Sequence, residues 1–256
     1  MNRLEELFQR KKEKVINVYC TAGFPELNST LTVMKALQDN GADIIELGMP
    51  YSDPLADGPV IQASGTKALQ NGMTIEKLFA QLQDCRKEIY VPVILMGYMN
   101  PVLQYGFERF CQHAAAVPVD GLILPDLPEH EFETEYGPVI KRYGLDFIFL
   151  VTPETSEARI KKLDELSTGF LYAVSSSSTT GKQQDFNAVE KYLQRLQSMN
   201  LKNPVLVGFG IKDKQSFDAA CKHASGAIIG TAYIKSIEAA ENMEQATKAF
   251  LQPIIG

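Results

Sequence analysis

The chain has 256 residues, of which 45% are hydrophobic and 22% charged, and its formal net charge is −6. That is ample apolar content for one large core, and an α/β barrel of roughly 250 residues is an ordinary single-domain size. An acidic chain without a dominant Lys/Arg face argues against nucleic acid as a partner, and Arg10-Lys11-Lys12 reads as the solvated end of a first helix. Cys20, Cys85, Cys111 and Cys221 form no C-x-x-C pair, and His113, His130 and His223 stand apart. Neither a disulfide framework nor a metal site is therefore expected. The opening residues MNRLEELFQRKKEK are charged and amphipathic, unlike a signal peptide, and no run reaches the roughly 18 apolar residues of a membrane span. A cytoplasmic protein with no membrane partner is the expectation.

Leu4, Leu7 and Phe8 sit at helical spacing and predict an extra N-terminal helix over 3–11, serving as a lid before the first strand. VINVYCT at 15–21 reads as that strand, ended by the Ala22-Gly23-Phe24-Pro25 turn. Residues 27–40 follow as a helix, with Leu31, Met34 and Leu37 on one face and Gly41 past its end. The second strand is 43–47. Beyond an acidic loop come helices over 60–70 and 74–87, parted by Asn71-Gly72. Strand three covers 91–96, with a turn at Gly97 to Pro101, a helix over 106–116 and strand four at 121–124. A helix over 131–143 leads to strand five, DFIFLV at 146–151, and then to a helix over 156–166 capped by Ser156 or Thr155. Strand six is 170–174, with a polar loop at 175–181 and a helix over 185–199. Strand seven (205–208), a helix over 213–223 and strand eight (227–230) follow. A short helix from Thr231 and a last one over 238–251 end the chain.

Eight short runs, apolar on both faces and each followed by a helix, describe a parallel sheet covered by helices. With no linker or shift in composition, they predict a single (β/α)8 TIM barrel over 1–256, an open doubly wound sheet being the alternative. Such a barrel carries its site at the C-terminal strand ends. There the sequence places Tyr19, Thr21, Glu46, Met96, Tyr98, Asn100, Asp126, Tyr172 and Ser175, a set with aromatic and apolar walls and few charges. That suits a flat apolar substrate held by a small number of polar contacts.

The chain is organised around IIELGMPYSDPLADGP at 44–59. Glu46 ends a buried strand, while Asp53 and Asp57 follow on a loop that Gly48, Pro50 and Pro54 keep irregular. Two carboxylates in different environments allow one to be tuned for proton transfer while the other stays ionised. The plainer alternative is a strand end with a solvated acidic loop. Gly208-Phe209-Gly210 after strand seven and Gly230-Thr231 after strand eight put backbone donors and a helix start where barrels hold phosphate. Gly181 is a third donor. The serine run at 175–178 has no histidine near it to act as a base, so a lid is the better reading, and Lys182 lies past that loop rather than on a strand. What remains is a phosphate site, an apolar pocket and two carboxylates, a set that fits proton-transfer cleavage of a C–C bond without a metal or a covalent intermediate.

Glu46-Leu47-Gly48 with Tyr51-Ser52-Asp53-Pro54-Leu55-Ala56-Asp57-Gly58-Pro59 resembles the signature of the tryptophan synthase alpha-subunit family, and the similarity runs on to Lys248-Ala249-Phe250. The resemblance implies retro-aldol cleavage of indole-3-glycerol phosphate to indole and glyceraldehyde 3-phosphate. Glu46 would be the general acid/base, Asp57 would hold the indole N–H, and Tyr172 would pack beside the glutamate. Gly181, Gly210, Gly230 and Thr231 would bind phosphate, and Tyr19, Ile61, Met96 and Phe209 would wall the indole pocket. Asp53, Pro54 and Asn100 would meet a beta subunit in an αββα tetramer. The alpha chain itself would carry no cofactor, pyridoxal phosphate sitting on the beta subunit only. The family commonly carries an Arg and a Gly-Val-Thr-Gly run in the lid, where this chain has Ser176 and Ser178-Thr179-Thr180-Gly181. An Arg removed is a strong contact removed, which bears on lid closure. Two alternatives are another phosphate-binding barrel enzyme of the same pathway and a non-catalytic regulatory subunit. The first needs a Lys, Cys or further acid at a strand end, and the second is opposed by the presence of both Glu46 and Asp57.

Overall fold

In the computed structural model of the chain, which describes residues 2–117, 119–174, 186–208 and 210–256 (186 and 187 by backbone alone), every apolar run named above contains a strand. These are β1 (Val15–Thr21), β2 (Ile44–Gly48), β3 (Val93–Met96), β4 (Gly121–Ile123), β5 (Asp146–Phe147), β6 (Leu150–Val151), β7 (Leu171–Val174), β8 (Val205–Gly208) and β9 (Gly226–Ile229). All neighbours pair in parallel, in the order β5-β4-β3-β2-β1-β9-β8-β7-β6.

The two ends of that sheet are the two halves of one predicted strand. β5 pairs with β4 and β6 pairs with β7, and between them the ladder changes partner. Ile148 N still donates to the Leu122 carbonyl at 3.0 Å, and Tyr172 N to the Phe149 carbonyl at 3.0 Å. The segment is therefore one stave that closes an eight-stave TIM barrel. Backbone donors with no strand partner need another acceptor. Phe147 N finds the Thr168 hydroxyl at 2.9 Å and Phe149 N the buried Ser167 hydroxyl at 3.1 Å. The rings of Phe147 and Phe149 pack on Phe132 at centroid distances of 4.6 and 4.9 Å.

The N-terminal helix, Arg3–Arg10, is no lid over the site. Its Leu4 and Leu7 are buried in one cluster with Val15, Ile44, Ile94, Ile123, Ile148, Phe170, Leu206 and Ile228, the inward residues of the lower barrel. An amphipathic helix settles where its apolar stripe can be covered, and burying each leucine contributes about 1.5–3 kcal/mol. Asn2 caps the helix and also bonds Asp146, while Arg3 reaches the buried Asp120 at 3.0 Å. Both acids stand at strand starts, so the helix plugs the end of the barrel opposite the one expected to carry chemistry.

Two further helices differ from expectation. Met99–Tyr105 is helical where Asn100-Pro101 reads as a turn. Pro101 falls in the first turn, where its missing N–H is not needed, and the Met99 N–H is taken by both Asp126 oxygens at 3.0 Å. Near the C-terminus the short helix expected from Thr231 runs over Thr231–Ile237, but the last helix begins at Met243, capped by Asn242, and not at 238.

Candidate active site

The register places Tyr19 of β1, Glu46 of β2 and Ile94 of β3 side by side. Glu46 is 1% exposed, in the barrel interior. Burial pushes its carboxyl up to about 8; the hydrogen bond from Asn17 opposes this and the charge of Asp57 adds to it. Asn17 Nδ2 donates to Glu46 Oε2 at 2.8 Å. An acid with its pKa near neutrality can both give and take a proton, which is what a general acid/base needs.

Asp57 lies half-buried on the loop after β2. Burial raises its pKa, and a hydrogen bond from the Tyr98 hydroxyl draws it back down. The same hydroxyl accepts from Ala56 N at 3.0 Å, and Gln62 Nε2 donates to the Asp57 carbonyl at 2.8 Å. Asn100 Nδ2 donates to the Tyr51 hydroxyl at 2.9 Å, and the Tyr51 and Tyr98 rings pack 5.6 Å apart. The loop is thus pinned on both sides of Asp57. Asp126 is spent on the start of the Met99–Tyr105 helix and is not a third acid of the site.

Tyr172 of β7 completes the group. Burial, then the charges of Glu46 and Asp57, hold its hydroxyl protonated well above the usual phenol range; burial and Asp57 do the same for Tyr19. Both rings need a glycine opposite. A methyl on Gly48 would stand 2.0 Å from the Tyr19 hydroxyl, and one on Gly208 2.4 Å from the Tyr172 ring. Gly48→Ala is expected to cost about 1–3 kcal/mol by overpacking. Urea melts would measure it, and an unchanged midpoint would mean that the Tyr19 ring swings aside freely.

A methyl on Gly230 would meet Tyr19 Cβ at 3.6 Å and Ile61 Cδ1 at 3.8 Å, so the end of β9 adjoins the wall formed by those residues. Met96 ends β3 and packs with Tyr172 and Leu150 on the interior cluster. Thr231 begins its helix with no side chain capping it, and Gly210 has a φ of +46° after β8. Asp53 (exposed) and Pro54 (half-buried) lie on the acidic loop beside Leu55, which is 85% exposed, while the exposed Asn100 stands in the first turn of the Met99–Tyr105 helix and is tied to the same loop through Tyr51. Gly181, Phe209, the serine run and Lys182 lie outside the described residues.

The histidines are used elsewhere. His113 bonds the Tyr105 hydroxyl at 2.7 Å among aromatic rings, His223 bonds Gln197 at 2.9 Å, and His130 is exposed on a helix. Among the described residues no three His, Cys, Asp or Glu side chains are grouped to hold a metal. Asn17 is the site residue that sequence reading missed. Its one signal was an amide in the middle of VINVYCT, an otherwise apolar strand interior.

A family model described as "Tryptophan synthase alpha chain" matches residues 4–253. The chain belongs to the tryptophan synthase alpha chain family. A tryptophan synthase alpha chain from Parabacteroides distasonis is 48% identical over 255 residues, covering 99% of both chains. The crystal structure of the alpha subunit from Legionella pneumophila superimposes with a TM-score of 0.89 at 34% identity, over 99% of this chain and 97% of that one. A tryptophan synthase complex from Pyrococcus furiosus has a TM-score of 0.86 at 32% identity, over 96% and 99%. Membership of the tryptophan synthase alpha chain family makes the protein a lyase of tryptophan biosynthesis that cleaves indole-3-glycerol phosphate. A beta-subunit partner goes with that family. No helix among the described residues is long and apolar enough to cross a membrane.

Proposed function

We propose that the cleavage is retro-aldol and proceeds by proton transfer through Glu46, with Asp57 holding the charge that develops on the substrate. The observation that carries this is a buried carboxyl at a strand end, with its pKa near 8, facing a second acid on a pinned loop. Glu46 gives its proton to C3 of the indole ring, which becomes cationic at nitrogen. Asp57 accepts the ring N–H and stabilises that cation. Glu46, now ionised, takes the proton of the glycerol hydroxyl as the C–C bond breaks. The bonding pair returns to the ring, leaving indole and the aldehyde of glyceraldehyde 3-phosphate. Tyr172, uncharged at any working pH, packs beside Glu46. Tyr19, Ile61, Met96 and Phe209 wall the indole.

Gly210, Gly230 and Thr231, with Gly181, hold the phosphate through backbone N–H groups. Asp53, Pro54 and Asn100 form the contact with the beta subunit in an αββα tetramer, which the exposed Leu55 beside them supports. The alpha chain works without a cofactor of its own, pyridoxal phosphate belonging to the beta subunit, and it acts in the cytoplasm. The test is indole release from indole-3-glycerol phosphate with and without the beta subunit. Release that rises on adding the partner is expected. No release under either condition would overturn the reading, and release indifferent to the partner would overturn the assembly.

A further inference from the structure

Asn17 is 0% exposed, set in β1 between the inward-facing Val15 and Tyr19 and in register with Ile44 and Ile228 on the neighbouring staves. At this depth the barrel is otherwise filled by aliphatic side chains, and a buried amide is costly unless both of its ends are partnered. Only one end is. Nδ2 donates to Glu46 Oε2 at 2.8 Å, while Oδ1 is buried with no hydrogen-bond partner among the described residues.

The unmatched half has a use if its neighbour changes state. An ionised carboxylate only accepts, whereas a carboxylic acid carries one O–H donor. An amide turned half-way about χ2 keeps its shape and presents Oδ1 where Nδ2 stood. We propose that Asn17 is a positioning residue that serves Glu46 in both protonation states, donating to the carboxylate through Nδ2 and accepting from the acid through Oδ1. The proposal rests on Glu46 being the proton-transfer group. An aliphatic residue would fill the same space but would leave Glu46 unheld in both states. Asn17 therefore fixes the carboxyl in one place while its proton comes and goes.

The two bonds are unequal. A hydrogen bond to an ionised group is roughly twice as strong as a neutral one, so the net effect of Asn17 is to favour the carboxylate. Among the described residues the other groups facing Glu46 are Asp57 on the loop after β2, Tyr19 on β1 and Tyr172 on β7; β3 contributes the apolar Ile94 and Met96. Cys20 on β1 also feels the Glu46 charge. Of these, Asp57 disfavours the carboxylate and Asn17 is the group that favours it.

The experiment is a titration of the Glu46 carboxyl by NMR in chains carrying carboxyl-labelled glutamate, its resonance assigned by its loss in Glu46→Gln. Asn17→Leu, with Asn17→Val in reserve should the first not fold, is expected to raise the Glu46 pKa by about one unit or more. Asn17→Asp, which can only accept once ionised, is expected to give a still higher upper pKa for the coupled pair. In the wild type the side-chain NH2 signal of Asn17 should shift with the same midpoint as Glu46. An unmoved Glu46 pKa in Asn17→Leu, or an NH2 signal indifferent to that titration, would overturn the proposal. The limb of the pH–rate profile for indole release should move with the NMR value. If the carboxyl shifts as expected and the limb stays, the pairing stands and the catalytic role of Glu46 falls.

Discussion

Glu46→Gln is expected to lower indole release by on the order of 10²–10⁴-fold, the usual contribution of a general acid/base, while leaving the beta-subunit contact intact. The same substitution should make the chain more stable near neutral pH, and the reason is the burial that tunes the residue. In the folded chain the Glu46 carboxyl is raised from 4.5 to about 8. Below about pH 4.5 both folded and unfolded states hold the proton, and the group contributes no pH dependence. Between 4.5 and 8 the unfolded chain releases the proton while the folded one keeps it. The folded state then binds more protons, so its stability falls as pH rises through this window. Above it the loss is complete, on the order of a few kcal/mol. Glutamine does not titrate, so the advantage of Glu46→Gln should widen from acid to alkaline pH. Urea melts near pH 5 and near pH 9 measure it. A constant difference between the two would show that Glu46 is not held as a buried acid, and full turnover in the mutant would remove it from the chemistry.

That tension between stability and proton transfer explains which parts of this molecule could be read from its residues. The staves were legible because apolar runs such as VINVYCT and VLVG are bounded by Gly, Pro and polar residues, and eight of them in alternation with helices leave few other architectures. Glu46 stood out as a candidate because an acid at the end of an apolar strand is expensive unless it is used, and Asp57 as the second acid on the loop that follows, within the stretch that resembles the family signature. The break in DFIFLV was not, since the ladder there is replaced by the hydroxyls of Ser167 and Thr168, some 20 residues further along. Nor was the Met99–Tyr105 helix, because the group that takes its first N–H is Asp126, on the loop after a different stave. Arg3–Arg10 was legible as an amphipathic helix but not as a plug, because periodicity states that a face must be covered and not by what. Asn17 was hidden for the same reason: its partner lies on the neighbouring stave, 29 residues away. Local pattern finds elements and unusual residue types; the pairing of two such residues is a property of the closed barrel.

Asp57→Asn is expected to reduce kcat by roughly 10²–10³-fold with KM little changed, the effect of deleting one fixed group that stabilises transition-state charge. The substitution is close to isosteric, and the backbone around it is held by Tyr98 through Ala56 N and by Gln62 through the Asp57 carbonyl. The replacement amide can still accept the indole N–H through its oxygen. What it lacks is negative charge, so the loss isolates electrostatics from hydrogen bonding. Unchanged kinetics would take Asp57 out of the mechanism, and a rise in KM alone would make it a binding group. Tyr98→Phe separates these further. It removes the contact that lowers the Asp57 pKa, leaving burial to raise it. Asp57 would then protonate at a higher pH, and the acid side of the pH–rate profile should move up while the rate at alkaline pH stays near that of the wild type. The direction is opposite to any general loosening of the loop, which would depress the rate at every pH. An acid limb that stays in place in Tyr98→Phe would show that the charge on Asp57 is not what limits the reaction there.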